Sequence, residues 1–454
     1  MDLLLTHGYF LREDARELQI MKPYVPLGIL YVCSHLRSRG LDVQVFDSTF
    51  RSKDDLYATL AAGPPSVLGI YSNLMTRPKV VEILAVARSC GWKAVIGGPE
   101  AGSYAAEYLA NGADAVVIGE GEVTLEELLP AMKSGASLDG IAGIAYLDPG
   151  GSVRTNAART QIRDINLQPW PARDAVDIQQ YVDTWRQHHG KGSVSLITAR
   201  GCAYHCRWCS HQVFGKTHRR RKPALVADEL AFLIERYRPD MAWMADDVFT
   251  IHHGWLFEYA AELKQRGIHL PFECISRADR MNERVVDTLA EMGCFRVWIG
   301  SESGSQRILD AMERGVTVEQ VGKAVALCKS RGIQTGMFLM WGYDGEQIED
   351  VEATIAHVKR TDPDIFLTTV AYPIKGTPYF DTVGDRVQAP DAWAKSSDRE
   401  FQVRGRHSRT FYKYADQLLR DEVEQARQGA DPVLEARIAA VRSAMLASAA
   451  EVEA

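Results

Sequence analysis

"TARGCAYHCRWCSHQ", residues 198–212, holds three of the chain's eight cysteines, at Cys202, Cys206 and Cys209. The spacing is C-x3-C-x2-C, and no fourth cysteine lies near it. In 454 residues with eight cysteines, composition alone yields this pattern roughly 0.003 times. Three readings compete. Three unrelated buried thiols would need nothing but packing. A structural zinc wants four ligands, and His205 or His211 would have to supply the last. An iron–sulfur cubane suits thiolates best, and one held by three cysteines leaves an iron open to a substrate or cofactor. That reading makes the missing fourth cysteine the active position.

The rest of the composition bounds the class. The chain is 46% hydrophobic, enough for two or three domains with real cores. Charged residues make up 24% and the net charge is −7, where a general nucleic-acid binder would more often be basic. No run of about 18 apolar residues exists, so no membrane span is expected. The opening "MDLLLTHGYFLRED" lacks a basic leader and turns polar early, which makes a cytoplasmic address the default. Eight cysteines in so long a chain do not describe a disulfide scaffold. The five outside the loop (33, 90, 274, 294 and 328) give no ligand spacing, nor do His7 and His35, which read as packing or loop residues.

Downstream of residue 193, short apolar stretches alternate with helical ones. "SVSLITAR" feeds the cysteine loop, and "MAWMADDVFT", "PFECISRAD", "FRVWIGSESGS", "QTGMFLMWGY" and "DIFLTTVAYPIKGTP" read as five further strands. Between them lie helical spacings such as "VADELAFLIERY" and "EDVEATIAHVKRTD". Such alternation predicts a parallel sheet with helices outside, with functional groups at the strands' C-terminal ends. Asp246, Asp247, Ser276, Arg277, Glu302 and Gly304 all cluster at those ends. Asp246 and Asp247 could instead cap a helix, and Glu302 could simply pair with Arg277.

The motif "CAYHCRWC" resembles the signature of the radical SAM superfamily, with an aromatic just before the last cysteine. The resemblance implies a (β/α)6 partial TIM barrel and a [4Fe–4S] cluster on Cys202, Cys206 and Cys209. It also implies S-adenosylmethionine (SAM) chelated at the open iron and cleaved by one electron to a 5′-deoxyadenosyl radical. Trp208, Asp246, Ser276, Arg277 and Glu302 match positions that would contact SAM. Asp246–Asp247 depart from the family's glycine-glycine-glutamate turn, which leaves their role less defined.

The first third repeats a βα alternation: "MDLLLTHGYF", "LDVQVFDSTF", "SVLGIYSNLMT", "KAVIGGPEAGS" and "ADAVVIGEGEVTLEELL" supply strands, with helices such as "GILYVCSHLRSRG" between them. This is a doubly wound, Rossmann-like sheet whose ligand site lies past the strand C-termini. No G-x-G-x-x-G follows the first strand, so a dinucleotide is not indicated. Taken in order, "MKPYVPLGILYVCSHLRSRG", "IGGPEAG" and "VIGEGEVTLEEL" resemble the cobalamin-binding domain found before many radical SAM barrels. That resemblance implies cobalamin contacts from His7, Ser72, Asn73, Leu74, Gly97, Gly98, Pro99, Glu100, Gly119, Glu120, Gly121 and Glu122. The D-x-H-x-x-G signature that gives cobalt a histidine is absent, so the lower face would meet loop 71–77 without a histidine bond.

The expected organisation is a cobalamin-binding domain over 1–140, a linker over 141–190, a partial barrel over 191–378 and a helical segment over 379–454. The linker holds one candidate hairpin, "IAYLDPGGSVRTN", and the basic run "KTHRRRKP" (216–223) is expected as a solvated surface loop. The leading expectation is a cobalamin-dependent radical SAM methyltransferase acting on an unactivated carbon or phosphinate of a small molecule. An electron donor such as flavodoxin or ferredoxin would serve it, with no nucleic-acid partner. Oxidation, cyclisation or rearrangement with the same cofactors is the alternative reaction, and a non-catalytic cobalamin or cluster sensor the alternative class.

Overall fold

The computed structural model describes residues 1–211, 213–389, 391–429 and 431–453. In the first third, five short apolar stretches form strands: β1 (Leu3–His7), β2 (Val43–Val45), β3 (Val67–Tyr71), β4 (Lys93–Gly97) and β5 (Ala115–Val117). They pair in parallel, and an antiparallel hairpin of β6 (Ile144–Leu147) and β7 (Val153–Thr155) extends the sheet. The order is β2-β1-β3-β4-β5-β6-β7. The hairpin falls in the segment read as a linker, which also forms a helix over Ile178–His189.

Every residue of β1 is buried, as a strand covered on both faces must be. On one face Ile29, Cys33 and Leu36 join Leu125, Leu128 and Leu129 over Leu3, Leu5 and Val95. On the other, Leu56, Leu60, Val80, Ile83 and Leu84 cover Leu4, Leu68, Ile70 and Ile96. The helix supplying Leu56 and Leu60, Lys53–Ala62, was not anticipated from its sequence. It buries only those two residues and is fixed at its start by a capping box of Ser52 and Asp55.

The second sheet begins with β8 (Ser193–Leu196). A small antiparallel pair, β9 (Ala199–Arg200) and β10 (Arg219–Arg220), brackets the cysteine loop. There follow β11 (Met241–Met244), β12 (Phe272–Ser276), β13 (Cys294–Glu302), β14 (Gln334–Trp341) and β15 (Ile365–Val370). The sheet order is β15-β14-β13-β12-β11-β8, and the pairings among β12 to β15 are parallel. Helices occupy the intervals Pro223–Tyr237, His253–Arg266, Glu283–Glu291, Val318–Ser330 and Ile348–Thr361. The fold class is therefore the α/β one expected, with a six-stranded sheet built from strands between residues 193 and 370.

By its internal contacts the chain divides into two compact units. One comprises Met1–Ala203, Ser210–Ala242 and Asp391–Arg399; the other comprises Tyr204–Cys209, Trp243–Pro390 and Glu400–Ala454. In the second unit, helices Arg409–Gln428 and Pro432–Ser448 close the chain. Lys359 on the helix Ile348–Thr361 reaches Glu422 at 2.7 Å. Among the described residues no helix is long and apolar enough to cross a membrane.

The helix Ile348–Thr361 lies close over the end of β13 because Gly304 has no side chain. A Cβ there would meet the Ala353 carbonyl and Thr354 Cα at 2.5 Å and His357 Cβ at 2.6 Å. His357 is fully buried, 3.3 Å from Ser301 Oγ. Burial, with help from Arg360, depresses its pKa from 6.5 to about 4. Between those values the unfolded chain holds a proton that the folded one refuses, so stability falls as pH drops from 6.5 towards 4. The loss from this group is roughly 3 kcal/mol at full extent. Urea unfolding at pH 7 and at pH 4.5 should show this loss diminished in His357→Gln; an unchanged difference between the two pH values would contradict it.

Candidate active site

The cysteine loop is launched by a tight turn. Gly201 adopts φ +81, and a side chain there would collide with the Thr217 carbonyl. Cys202 and Cys209 are half-buried and Cys206 is buried, and all three are free thiols. Among the described residues no three His, Cys, Asp or Glu side chains converge as a preformed metal cage.

The surroundings of Cys206 suit a metal-bound sulfur. Arg314 Nη1 lies 3.5 Å and Arg277 Nη1 3.7 Å from its Sγ, so two buried cations face one sulfur. The guanidinium of Arg277 also lies 3.6 Å from the ring centroid of Tyr204, within the loop itself. Its remaining N–H groups donate to Asp279 at 2.9 Å and to the Arg314 carbonyl at 2.7 Å. Arg314 donates to the Gly300 carbonyl at 3.1 Å and approaches Glu302 at 3.6 Å. The pairing of Glu302 with Arg277 considered from sequence is thus taken by Arg314 instead.

Glu302 occupies the left-handed region at φ +61 and is buried. Burial raises its pKa, opposed by Arg314 and Arg277. The β13–β14 register shifts between Gly300 and Glu302, a bulge that re-aims the carboxylate. Gly300 is small because a Cβ there would lie 2.7 Å from Glu302 Oε1 and would also strike Arg314. Ser276 is buried at the end of β12, sharing a 2.5 Å hydrogen bond with Thr250 Oγ1. Asp246 is buried and Asp247 exposed after β11. Neither caps the following helix, whose N-cap is His252. Trp208 packs against the cluster of buried side chains that includes Ile308, Met312, Met340 and Tyr343, and its Nε1 is buried without a hydrogen-bond partner among the described residues.

At the first sheet, the residues singled out for cobalamin lie at or just beyond the C-terminal ends of β1, β3, β4 and β5. Both ring nitrogens of His7 are engaged. Nδ1 meets the Tyr9 N–H at 3.2 Å and Ser48 Oγ at 2.9 Å, and Nε2 meets Asp47 at 3.1 Å. A histidine so held has no lone pair left for a metal. Asn73 shapes its own loop: its N–H donates to Thr76 at 3.1 Å and its side chain accepts from Met75 N at 2.9 Å. Leu74 and Pro99 are half-buried. Gly98, at φ +110, approaches Ser72 so closely that any side chain would strike the Ser72 carbonyl.

The acids among these residues are bound to arginines. Glu120 accepts from Arg200 and Arg219, each at 2.8 Å, and Glu122 accepts from Arg200 at 2.6 Å. Gly97, Gly119 and Gly121 present backbone without side chains at the same edge, which is the surface a large planar cofactor can approach. Arg219 and Arg221 belong to the basic run expected in solvent. Strand pairing of β10 with β9 instead carries them inward, and Arg221 pairs with the fully buried Glu229. Glu229 also takes Arg173 at 2.7 Å.

A further buried arginine, Arg77, has no local pattern in the sequence that marks it. Arg77 is fully buried, donating to Glu100 at 2.6 Å, to Asp398 at 2.5 Å and to the Ser396 carbonyl at 3.1 Å. Tyr104 stacks on it at 4.3 Å and Trp393 at 5.1 Å. Glu100 in turn accepts from Tyr108 at 2.9 Å and Ser72 at 3.2 Å. Asp398 and Trp393 lie some 300 positions along the chain, beyond any local pattern.

Comparison with known proteins places these features. The Radical SAM superfamily model matches residues 196–358, and the B12 binding domain model matches residues 19–129. An uncharacterized methyltransferase of Pyrococcus horikoshii is 31% identical over 361 residues, covering 78% of this chain and 77% of that protein. The anaerobic magnesium-protoporphyrin IX monomethyl ester cyclase of Rubrivivax gelatinosus is 25% identical over 385 residues, covering 82% and 69%. The structure of the radical S-adenosylmethionine methyltransferase TsrM from Kitasatospora setae, with cobalamin and a [4Fe-4S] cluster bound, superposes with a TM-score of 0.69. It is 24% identical and covers 86% of this chain and 76% of that one.

Arg77→Met would leave Glu100 and Asp398 buried without a counter-charge, at a cost of about 4 kcal/mol. Urea unfolding should register this, with Arg77→Lys losing less; a Met variant as stable as the parent would refute the network's role.

Proposed function

The chain belongs to the cobalamin-dependent radical SAM enzyme family, and from that premise we propose that it methylates an unactivated carbon, or a phosphinate, of a small molecule. The observation that carries this reading is the three-thiol loop with two buried arginines on Cys206, in a chain that also carries the B12-binding domain. The methyltransferase relative at 31% identity supports methyl transfer over other outcomes. When bound, the cluster with SAM supplies a 5′-deoxyadenosyl radical for hydrogen abstraction, and cobalamin supplies the methyl group.

This chain's residues hold and orient those groups. Cys202, Cys206 and Cys209 ligate the cluster, and Arg277 and Arg314 offset its negative charge. Trp208 covers the adenosyl side, and Asp246, Ser276 and Glu302 bind the polar parts of SAM. Burial raises the pKa of Glu302 and the neighbouring Arg314 and Arg277 oppose that, favouring the carboxylate form that an ammonium would pair with. Ser72, Asn73, Leu74, Gly97–Glu100 and Gly119–Glu122 form the loops that receive cobalamin. His7 belongs to the hydrogen-bonded frame behind them, and cobalt receives no histidine from it. An external flavodoxin or ferredoxin supplies the electron, and the setting is the cytoplasm, where thiols stay reduced.

Cyclisation is the second reading, supported by the cyclase relative at 25% identity. Methyl-labelled SAM separates the two: label in the product means methylation, whereas deoxyadenosine without labelled product means radical cyclisation or oxidation. Each of Cys202→Ala, Cys206→Ala and Cys209→Ala should lose iron–sulfur absorbance and all SAM cleavage. Cleavage retained by any one of them would overturn the assignment.

A further inference from the structure

β14 ends at Trp341, and the chain turns through Gly342–Gln347 into the helix Ile348–Thr361. Against this turn, within the second unit, lies a cavity of about 240 Å³. Its polar lining includes Glu346, Tyr379, Arg386, Arg406 and His407. Glu346 is 6% exposed. Its Oε2 accepts from the Gly342 N–H at 2.6 Å, while Oε1 is buried with no hydrogen-bond partner among the described residues. The Tyr379 hydroxyl and Arg406 Nε are likewise buried and unpartnered. Three such groups around one cavity are an exception that calls for a ligand, because buried polar atoms are otherwise satisfied.

The neighbouring charges are already matched. Arg406 Nη2 pairs with Glu453 at 2.9 Å, Arg386 with Asp344 at 2.7 Å, and His407 Nδ1 meets the Ala449 carbonyl at 2.9 Å. Burial pushes the Glu346 carboxyl up to about 8; the Gly342 N–H opposes this, Asp350 adds to it, and Arg406 and Arg307 oppose it. At neutral pH Glu346 therefore keeps its proton, and its open oxygen can donate. A neutral acid, a phenol and a guanidinium N–H are three donors, and what they lack is an acceptor. An ammonium brings only donors, and a lone hydroxyl would satisfy one of the three.

We propose that this cavity is a recognition site for the carboxylate or phosphate end of a small molecule, bound through Glu346, Tyr379 and Arg406. The volume falls below the roughly 300–1,000 Å³ of whole-ligand pockets, so one end of the molecule enters. The proposal stands independently of whether the chemistry is methylation or cyclisation.

The test is calorimetric titration of the full chain with sodium acetate and, separately, with inorganic phosphate. Saturable binding of either supports the site, and the anion preferred identifies the class. Acetate does not titrate near neutrality, so its affinity should hold below pH 8 and fall above it as Glu346 ionises. The other charged or titratable groups that act on Glu346 or line the cavity with it are Asp344, Asp350, Arg307, Arg386, Arg406, His407, Tyr343, Tyr379 and Tyr412; burial holds the three phenols well above their usual range, so a fall that begins near pH 8 belongs to Glu346. Tyr379→Phe should weaken binding about tenfold. Glu346→Gln keeps a donor at the same place, so it should bind within about twofold at pH 7 and lose the alkaline fall. Failure of both anions to bind saturably, or Tyr379→Phe binding as tightly as the parent, would overturn the proposal. Should Tyr379→Phe not fold, a Glu346→Gln profile that still falls above pH 8 would do the same.

Discussion

Much of the second unit depends on a guanidinium that has no water. Arg314 is buried, and a buried cation is tolerated only if every neighbour is arranged around it. Its neighbours are the sulfur of Cys206, the carbonyl of Gly300 and the carboxylate of Glu302. Each constrains a different piece of chain. The sulfur ties the cysteine loop, and the carbonyl fixes the last turn of β13. The carboxylate explains why a non-glycine residue accepts the left-handed conformation, at a cost of order 1 kcal/mol or more. The local bulge, the small Gly300 and the strained Glu302 are three consequences of one charge that must be satisfied.

The first unit solves a related problem at its strand ends. Loops rich in glycine give a ligand close access to backbone, but they are intrinsically loose. Here the loops after β4 and β5 are held by acids that reach buried arginines: Glu100 to Arg77, and Glu120 and Glu122 to Arg200. Ion pairs of this kind add little net stability against an apolar alternative, and their use is to specify one arrangement. The sequence reading assigned these acids to the cofactor. Their side chains are instead engaged by the protein's own arginines.

What could be read directly was what is local. Strand and helix alternation lies within windows of ten to fifteen residues, so the fold class was accessible, and the three cysteines lie within eight, so their loop could be singled out. Arg314 was not, because "MERGV" has the look of an exposed charged turn, and only tertiary folding buries it. Tyr204 is a spacer in the cysteine motif until Arg277 stacks upon it. The arginines of "HRRRK" follow composition towards solvent, but a two-residue strand pairing draws Arg219 and Arg221 to Glu120 and Glu229. The helix Lys53–Ala62 buries too little apolar surface to leave a periodic stripe.

The short segment Asp391–Arg399 groups with the first unit although most of the second is encoded before it. Asp398 follows Arg77 by 321 residues. At a synthesis rate of roughly 5–20 residues per second, the ribosome needs on the order of half a minute to bridge that interval. Throughout that time the amino-terminal unit emerges with a cation short of one counter-ion and with the indole of Trp393 missing from its packing. Its packing is therefore completed only late in synthesis, once Asp391–Arg399 has emerged to supply the missing carboxylate and indole.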